Sequence, residues 1–341
     1  MLNLKITGKK IWKEIDHSNN ILLHIHPGPD GDSVGASLAF YHVLKRMGKN
    51  VVVIGGDNEL PLNLSTIPGA KNIVPKNFFQ IDLSQFDLFI IHDSSSPNQI
   101  SRNGKIVFPK KLKTIAIDHH FSNEKFAQIN LIAPKYSSTC QILYDLFQIK
   151  KIKINSNIAA CLFIGIYTDT GGFKYFNPTY KTFDIVSKLA KIYPKFAQLI
   201  FDIENNDHPD RLKFISILLN SITHSFSDHV AIASISYDEI QKYNLDQSAI
   251  GNYSEVANMI KAVIGWNIAI ALVEFQPNTI KVSFRTRDAK IYDVSKIAIA
   301  TTTGGGHKAA AGATIYNKTL PEAKQFLLDI IQKLYPKIGI K

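Results

Sequence analysis

The sequence has very little cysteine, with only Cys140 and Cys161 among its 341 residues. Two cysteines cannot build a disulfide framework, and they lack the paired spacing of a zinc site. We therefore expect each of them to be a small buried side chain in a reducing compartment. Stability must then come from hydrophobic cores, which a chain of this length can bury without cross-links.

Long hydrophobic runs are also missing. No apolar segment approaches the roughly 20 residues that span a bilayer. Residues 1–16 mix lysines with scattered apolar side chains and contain no signal-peptide core. These absences predict a cytoplasmic protein without a membrane partner.

Acidic residues are scarcer than basic ones. The chain has 28 Asp and Glu against 39 Lys and Arg, which gives a formal net charge of +11. A positive field favours polyanions such as nucleotides, nucleic acid or an anionic membrane face. The lysines are spread along the chain, however, so the charge can equally reflect general composition.

Short apolar runs alternate with helical patterns in the first half of the chain. The pattern predicts strands at residues 21–26, 50–55, 87–92 and 113–117, with a candidate edge strand at 126–132. Helical patterns occur at 35–47, 138–148, 156–168 and 179–192. Continuous apolar strands separated by helices predict an α/β fold, in which a buried parallel sheet has helices on both faces.

The polar segment 202–210 is the best candidate for a domain boundary. Beyond it, helical patterns at 211–222, 254–263 and 320–334 and strand patterns at 229–236, 266–275 and 279–287 predict a smaller α/β unit. We expect a catalytic domain over residues 1–195, a helical linker region over 196–225 and a substrate-binding domain over 226–341.

Aspartates and histidines follow three of the predicted strands. Ligand sites in open α/β sheets form just beyond the carboxyl ends of the strands, so these residues are expected to meet in one crevice. A single aspartate in such a place is more often a helix cap than a ligand, and only the joint pattern carries weight. The residues are His26, Asp30 and Asp32 after the first strand, Asp93 after the third, and Asp118, His119 and His120 after the fourth, with Asp169 at the end of an apolar helix.

So many carboxylates and imidazoles in one crevice would repel or desolvate one another unless cations neutralised them. A mixed set of oxygen and nitrogen ligands without thiolates favours Mn²⁺ before Mg²⁺, with Zn²⁺ and Co²⁺ as alternatives. There are too many acids for one ion. The sequence therefore predicts two divalent metal ions.

These motifs resemble those of the DHH phosphoesterases. The matching residues are His26-x-x-Pro29-Asp30-Gly31-Asp32, Asp93, Asp118-His119-His120 and Asp169, while Gly304-Gly305-Gly306-His307 resembles the signature of the accessory DHHA1 domain. The resemblance covers nearly the whole chain, in the same order. The size and the two-domain plan are most similar to the NrnA-type nano-RNases, which also dephosphorylate 3′-phosphoadenosine 5′-phosphate (pAp).

The resemblance implies a role for each motif residue. It places His26, Asp30 and Asp93 on one metal, and Asp32, His119 and Asp169 with Asp93 on the other. Asp118 would orient the histidines, and His120 would face the scissile phosphate. The first motif contains a second histidine, His24, which does not fit the spacing and is expected to be structural.

In the second domain, a glycine run lets the backbone approach a phosphate or a base closely. Arg285 lies on the preceding predicted strand, two residues after Ser283, and its planar fork suits a phosphate. The resemblance implies that Ser283, Arg285, Gly304, Gly305, Gly306 and His307 bind the terminal nucleotide of the substrate.

The leading hypothesis is a Mn²⁺-dependent phosphoesterase that releases 5′-mononucleotides from short oligoribonucleotides and converts pAp to AMP. A cyclic or linear dinucleotide phosphodiesterase would have the same catalytic centre, so the motifs do not distinguish it from the leading hypothesis. A nucleotide-binding regulatory module with a vestigial site is the alternative from another class. The partners would be short RNA and small nucleotides. The sequence does not decide whether the chain forms a homodimer.

Overall fold

The computed structural model describes residues 2–206, 208–245 and 253–339, and the side chains from residue 4 onward. The chain divides into two compact units, Met1–Asn206 and Asp207–Lys341. The division falls inside the polar segment 202–210, of which Asp207 lies outside the described residues. The finer limits of 1–195, 196–225 and 226–341 stay a prediction.

The first unit is built on a six-stranded sheet in the order β3-β2-β1-β4-β5-β6, in which every pair is parallel. Strand β1 hydrogen-bonds both β2 and β4, so the order of the strands reverses between β1 and β4. Ligands bind at such a reversal in open α/β sheets. The strands are β1 (Asn20–His24), β2 (Asn50–Ile54), β3 (Ile73–Val74), β4 (Leu88–His92), β5 (Lys113–Asp118) and β6 (Ile129–Ile132).

Both faces of this sheet are buried, which explains the continuous apolar runs. On one face, Leu23 and Ile90 belong to the core cluster that the helices complete. On the other face, Leu22 and Phe89 pack with Phe78, which lies on the short 3₁₀ helix Phe78–Gln80. The predicted α/β fold with a parallel sheet is confirmed, and 3₁₀ helices and loops cover this second face.

The described residues of the first unit form six α-helices: α1 (Leu2–His17), α2 (Gly31–Arg46), α3 (Thr139–Ile149), α4 (Ser156–Asp169), α5 (Tyr180–Ile192) and α6 (Phe196–Glu204). Helices α2 and α4 approach so closely that a Cβ on Gly35 would lie 2.5 Å from the carbonyl oxygen of Cys161. This contact fixes the two helix ends that carry acidic side chains, Asp32 near the start of α2 and Asp169 at the end of α4.

The second unit contains a mixed six-stranded sheet in the order β11-β12-β10-β9-β8-β7. Among the strands that the structure describes there, only β8 and β9 run parallel to each other. Its strands are β7 (Thr223–Ser225), β8 (Val230–Ile235), β9 (Ile268–Gln276), β10 (Thr279–Thr286), β11 (Gly304–His307) and β12 (Ala310–Tyr316), and its described helices are α7 (Pro209–Asn220), α8 (Tyr237–Lys242), α9 (Ser254–Lys261), α10 (Val294–Ala300) and α11 (Leu320–Leu334).

The glycine run forms strand β11, which pairs with β12 from Gly304 opposite Ala313 to His307 opposite Ala310. Gly306 has φ 139°, and a Cβ there would lie 2.6 Å from the Cα of Ala311. Only glycine fits this close pairing.

Among the described residues, none of the helices combines the length and the apolar character that crossing a bilayer requires.

Candidate metal centre and nucleotide pocket

The sheet of the first unit brings the motif residues to one edge. His26 follows β1, Asp93 follows β4, and Asp118 ends β5, with His119 and His120 directly after it. Because these three strands are parallel neighbours, their carboxyl ends meet at the point where the strand order reverses. Within the described residues, three groups of side chains there could each hold a metal ion.

The first group is His26, Asp30 and Asp93. The His26 Nε2 atom lies 3.4 Å from Oδ2 of Asp30 and 3.5 Å from Oδ2 of Asp93. Asp30 is also the N-cap of α2, because its Oδ1 accepts a hydrogen bond from the Ser33 amide at 2.9 Å. The Asp30 carboxylate is thus both a helix cap and a ligand candidate, with Oδ1 in the first role and Oδ2 in the second.

The second group is Asp32, His119 and Asp169, and the third is Asp93, His119 and His120. His119 Nε2 lies 3.2 Å from Oδ2 of Asp169 and 3.5 Å from Oδ1 of Asp93. Asp93 therefore presents Oδ2 to the first group and Oδ1 to His119. A carboxylate in this position can bridge two ions.

Asp93 has an unusual backbone. Its φ is 52°, in the left-handed region, which costs energy for a residue other than glycine. Its amide is held by the carbonyl of Ile117 on the neighbouring strand at 3.0 Å. The left-handed turn directs the chain away from β4 and leaves the Asp93 carboxylate buried at the reversal point.

Asp32 is held by a helix N-terminus distant in sequence. Its Oδ2 accepts the Thr139 amide at 2.6 Å and its Oδ1 accepts the Cys140 amide at 2.9 Å, both at the start of α3. Free amides at a helix start favour a negative charge. The Thr139 hydroxyl also donates to Asp93 Oδ1 at 3.1 Å, so α3 orients two of the acids.

The acids nevertheless oppose one another electrostatically. Burial, followed by the charge of Asp93, raises the pKa of Asp32 well above its usual value. Burial, followed by the charges of Asp32 and Asp93, does the same to the pKa of Asp169. Removing these carboxylates from water is unfavourable unless positive charge accompanies them.

Two atoms indicate where such a charge would lie. His119 Nε2 and Asp169 Oδ2 are buried and have no hydrogen-bond partner, although they are 3.2 Å apart. Burial lowers the pKa of His119, which favours the neutral ring that a metal ligand requires. The donor set of unpartnered imidazole nitrogen and carboxylate oxygens fits divalent cations.

His120 is held differently from His119. Its Nδ1 lies 2.7 Å from Oδ1 of the fully buried Asp118, whose Oδ2 accepts a hydrogen bond from Asn123 at 2.7 Å. Burial lowers the pKa of His120, but the bond to Asp118 and the charge of Asp93 outweigh it and raise the value to about 9. His120 is thus a cation at neutral pH when no metal is bound.

His24 does not join these groups. Its ring is fully buried, and its Nε2 contacts the Ser94 hydroxyl at 3.1 Å and the Gln99 carbonyl at 3.3 Å. His26, two residues later, is the histidine of this segment that reaches the acids.

In the second unit, a pocket of about 340 Å³ opens on the face of β10 and β12. Four of the six predicted binding residues line it, namely Ser283, Arg285, Gly305 and Gly306. The other two, Gly304 and the exposed His307, lie on β11 but do not line the pocket. The lining residues are Tyr253, Ser254, Val282, Ser283, Arg285, Gly305, Gly306, Ala310, Ala311 and Gly312.

Arg285 is oriented by its neighbours. Its Nε donates to Asn258 Oδ1 at 3.0 Å, and its Nη1 donates to Ser283 Oγ at 3.1 Å and to the Phe284 carbonyl at 2.8 Å. The sequence interpretation missed Asn258 and Tyr253, which come from α9 and the turn before it. No local pattern marks them, because only the folding of α9 against the sheet brings them to Arg285.

Two family models match the chain. The model described as DHH family, N-terminal domain, matches residues 20–166, and the DHHA1 domain model matches residues 228–335. The two matches follow the two units of the structure, and the chain belongs to the DHH/DHHA1 family.

Named relatives and a solved structure resemble nearly the whole chain. A "Bifunctional oligoribonuclease and PAP phosphatase NrnA" from Thermus thermophilus is 25% identical over 94% of this chain and 91% of its own length. The protein of the same name from Mycoplasma genitalium is 26% identical, covering 94% and 95%. A crystal structure titled as an exopolyphosphatase-related protein from Bacteroides fragilis is 24% identical, has a TM-score of 0.87 and covers 98% and 97%, which establishes the shared fold.

Proposed function

We propose that this protein is a two-metal phosphoesterase that hydrolyses short oligoribonucleotides to 5′-mononucleotides and removes the 3′-phosphate of pAp to give AMP. The observation that carries the proposal is the set of three ligand groups at the reversal point of the sheet, two of which share Asp93. The names of the relatives from Thermus thermophilus and Mycoplasma genitalium support the choice of substrates. The protein is accordingly a hydrolase.

The ligand assignment follows the groups of side chains. His26, Asp30 and Asp93 would hold one divalent ion, and Asp32, His119 and Asp169 with Asp93 would hold the other. Mn²⁺ suits this mixture of carboxylate oxygens and imidazole nitrogens, and Mg²⁺, Co²⁺ and Zn²⁺ are alternatives. When bound, the ions supply Lewis-acid stabilisation of phosphate oxygens and acidify the attacking water.

The residues of the chain provide the rest of the chemistry. In hydrolysis, a water oxygen bonds to phosphorus, the bond from phosphorus to the ribose oxygen breaks, and that oxygen receives a proton. His120, whose Nδ1 is held by Asp118, has Nε2 as its second donor for a phosphate oxygen. Arg285 in the second unit would bind a phosphate of the nucleotide, with Ser283, the glycines of β11 and His307 as further contacts.

A substrate panel tests the proposal. The purified protein is incubated with a diribonucleotide, pAp, a long RNA and a cyclic dinucleotide, in Mn²⁺, Mg²⁺, Co²⁺, Zn²⁺ or EDTA, and the products are separated by chromatography. We expect mononucleotides from the diribonucleotide and AMP plus phosphate from pAp, with Mn²⁺ best and no product in EDTA. If neither the diribonucleotide nor pAp is hydrolysed with any ion, the proposal is refuted. If the cyclic dinucleotide is turned over faster than both, the substrate assignment is wrong and the protein is a cyclic dinucleotide phosphodiesterase.

A further inference from the structure

Two large aromatic side chains stand almost fully exposed on the segments that leave the candidate metal centre. Phe121 directly follows His120 and is 88% exposed, and Phe176 lies on the loop after Asp169 and is 105% exposed. Single exposed apolar residues are common and need no explanation. These two differ because each of them is held in place beside the candidate metal centre.

The segment that carries Phe121 is tied to the centre by Asn123. The Nδ2 of Asn123 donates to the Ser94 carbonyl at 2.9 Å and to Asp118 Oδ2 at 2.7 Å, and its amide donates to the His120 carbonyl at 3.3 Å. The turn is therefore closed by the same carboxylate that holds His120. Phe121 projects from a fixed backbone.

The segment that carries Phe176 is tied back in the same way by Asn177. Its Nδ2 donates to the carbonyl of Asp169 and to that of Ser137, both at 3.1 Å. Tyr175 packs over Gly171, where a Cβ would lie 2.5 Å from the ring. Phe176 is one residue, about 3.8 Å of backbone, from the Asn177 anchor.

The chemistry of the surroundings selects the occupant of these rings. Both segments are tied to residues of the candidate metal centre, that of Phe121 through the bond of Asn123 to Asp118 and that of Phe176 through the bond of Asn177 to Asp169, so the ligand considered for the rings is the one that the centre would bind. A nucleobase offers a flat π-face to a single aromatic ring, and such stacking is how single-stranded nucleic acid is held without reading its sequence. A nucleotide whose phosphate lies at the metal groups carries such a base.

We propose that Phe121 and Phe176 are base-stacking residues that bind the nucleobases on the two sides of the scissile phosphate. The proposal rests on the proposed function, because it needs a substrate that carries bases. It adds a specificity: the enzyme would require bases as well as phosphates and would tolerate any base sequence.

Substrates with and without a base test the stacking. Steady-state kinetics compares a diribonucleotide with two counterparts in which one base is replaced by hydrogen. We expect Phe121→Ala and Phe176→Ala each to raise KM for the diribonucleotide roughly tenfold or more, the loss expected for one base–aromatic stack. Each variant should lose its preference for the base over one of the abasic counterparts, and Phe→Trp at each position should restore it.

Controls separate stacking from other roles. Phe79→Ala removes a half-exposed ring that packs on Phe78 and Gly104, and it should leave KM unchanged. Equal losses on base-containing and abasic substrates, or no loss at all, would overturn the proposal. A change in sedimentation mass that accompanies the KM effect would also overturn it, because the rings would then join copies of the chain.

A second measurement keeps this test apart from that of the proposed function. If the wild-type protein hydrolyses no diribonucleotide, the proposed function fails. Stacking is then measured directly with a 2-aminopurine dinucleotide and Mn²⁺, because 2-aminopurine fluorescence falls when the base stacks. Quenching by the wild type that is lost in both alanine variants would support the stacking residues, and equal quenching by all three proteins would overturn them.

Discussion

At the scale of single residues, His24 and His92 are two fully buried imidazoles in the sheet of the first unit. Burial, followed by the neighbouring charge of His26, lowers the pKa of His24 to about 3. Burial, followed by the proximity of His24, lowers the pKa of His92 to about 3 as well. His24 Nδ1 and His92 Nε2 have no hydrogen-bond partner, which agrees with rings that stay neutral.

This difference from the unfolded chain predicts a loss of stability in acid. In the unfolded chain each histidine binds a proton near pH 6.5, whereas the native rings stay neutral until about pH 3. The contribution of these two buried rings to the free energy of unfolding is therefore complete above pH 6.5 and decreases as the pH falls below this value. The slope of the unfolding free energy should be about 1.4 kcal/mol per pH unit for each histidine.

Urea unfolding of the metal-free protein at several pH values between 4 and 6 measures this slope. His92→Gln removes one of the two titrating groups and should lower the slope by about 1.4 kcal/mol per pH unit. A slope that is the same in the variant and the wild type would contradict the assignment.

Asp93 carries a second prediction at this scale. Asp93→Asn keeps the size of the side chain but removes the charge that two of the three candidate ligand groups share, so both proposed ions should bind more weakly. We expect turnover of the diribonucleotide to fall to background even in excess Mn²⁺, with weaker binding in calorimetric titration. Asp184→Asn, which removes an exposed partner of Lys188, is the control and should behave as the wild type. Retention of more than about a tenth of the turnover would show that Asp93 does not bridge the ions.

At the scale of secondary-structure elements, the close packing of α2 on α4 fixes the site. A Cβ at Gly35 would lie 2.5 Å from the Cys161 carbonyl, and one at Gly165 would lie 2.8 Å from Asp32 Oδ1. Backbone atoms on a packed helix cannot move aside as the end of a flexible side chain can. The two glycines therefore set the separation between the helices that carry Asp32 and Asp169.

Gly35→Ala should therefore disturb both stability and metal binding. Overpacking of this kind costs about 1–3 kcal/mol, and it should lower the midpoint of thermal unfolding. Separation of α2 from α4 should also weaken Mn²⁺ binding, which calorimetry measures. A variant that is destabilised but binds Mn²⁺ as the wild type does would show that this contact supports the fold and not the centre.

At the scale of the whole molecule, the two units are expected to divide the work. The acids and histidines of the candidate centre lie in the first unit, and the pocket with Arg285 lies in the second. The first unit would carry out the chemistry, and the second would contribute the Arg285 contact to the nucleotide. This division predicts that substrates with and without a nucleoside respond differently to changes in the second unit.

Arg285→Ala tests this division. Loss of a charge-assisted hydrogen bond should raise KM for the diribonucleotide and for pAp by roughly tenfold or more. Hydrolysis of bis-p-nitrophenyl phosphate, which has no nucleoside, should change much less. Lys324→Ala removes a partly exposed cation elsewhere in the second unit and serves as the control. Equal losses on all substrates would mean that Arg285 acts at the reacting phosphate.

The sequence by itself determined five of the six strands of the first sheet and the types of residue at its edge, whereas the two-residue strand β3 was not predicted. Strands β1, β4 and β5 are short apolar runs buried on both faces, so their own side chains identify them. Once such strands are parallel neighbours, the residues that follow them must meet. The convergence of Asp93 with His26 and His119 could therefore be predicted from strand ends alone.

The tertiary structure decided which atoms these residues use. The amides that hold Asp32 come from Thr139 and Cys140, 107 and 108 residues away, and nothing near Asp32 in the sequence indicates them. Helix α1 and strand β11 were not predicted for the same reason. The apolar side of α1 is defined by the aromatic core that it meets, and the glycines of β11 become a strand only by pairing with β12. Local pattern fixes an element when its own side chains supply the stabilising burial, whereas contacts between distant segments exist only after the chain has folded.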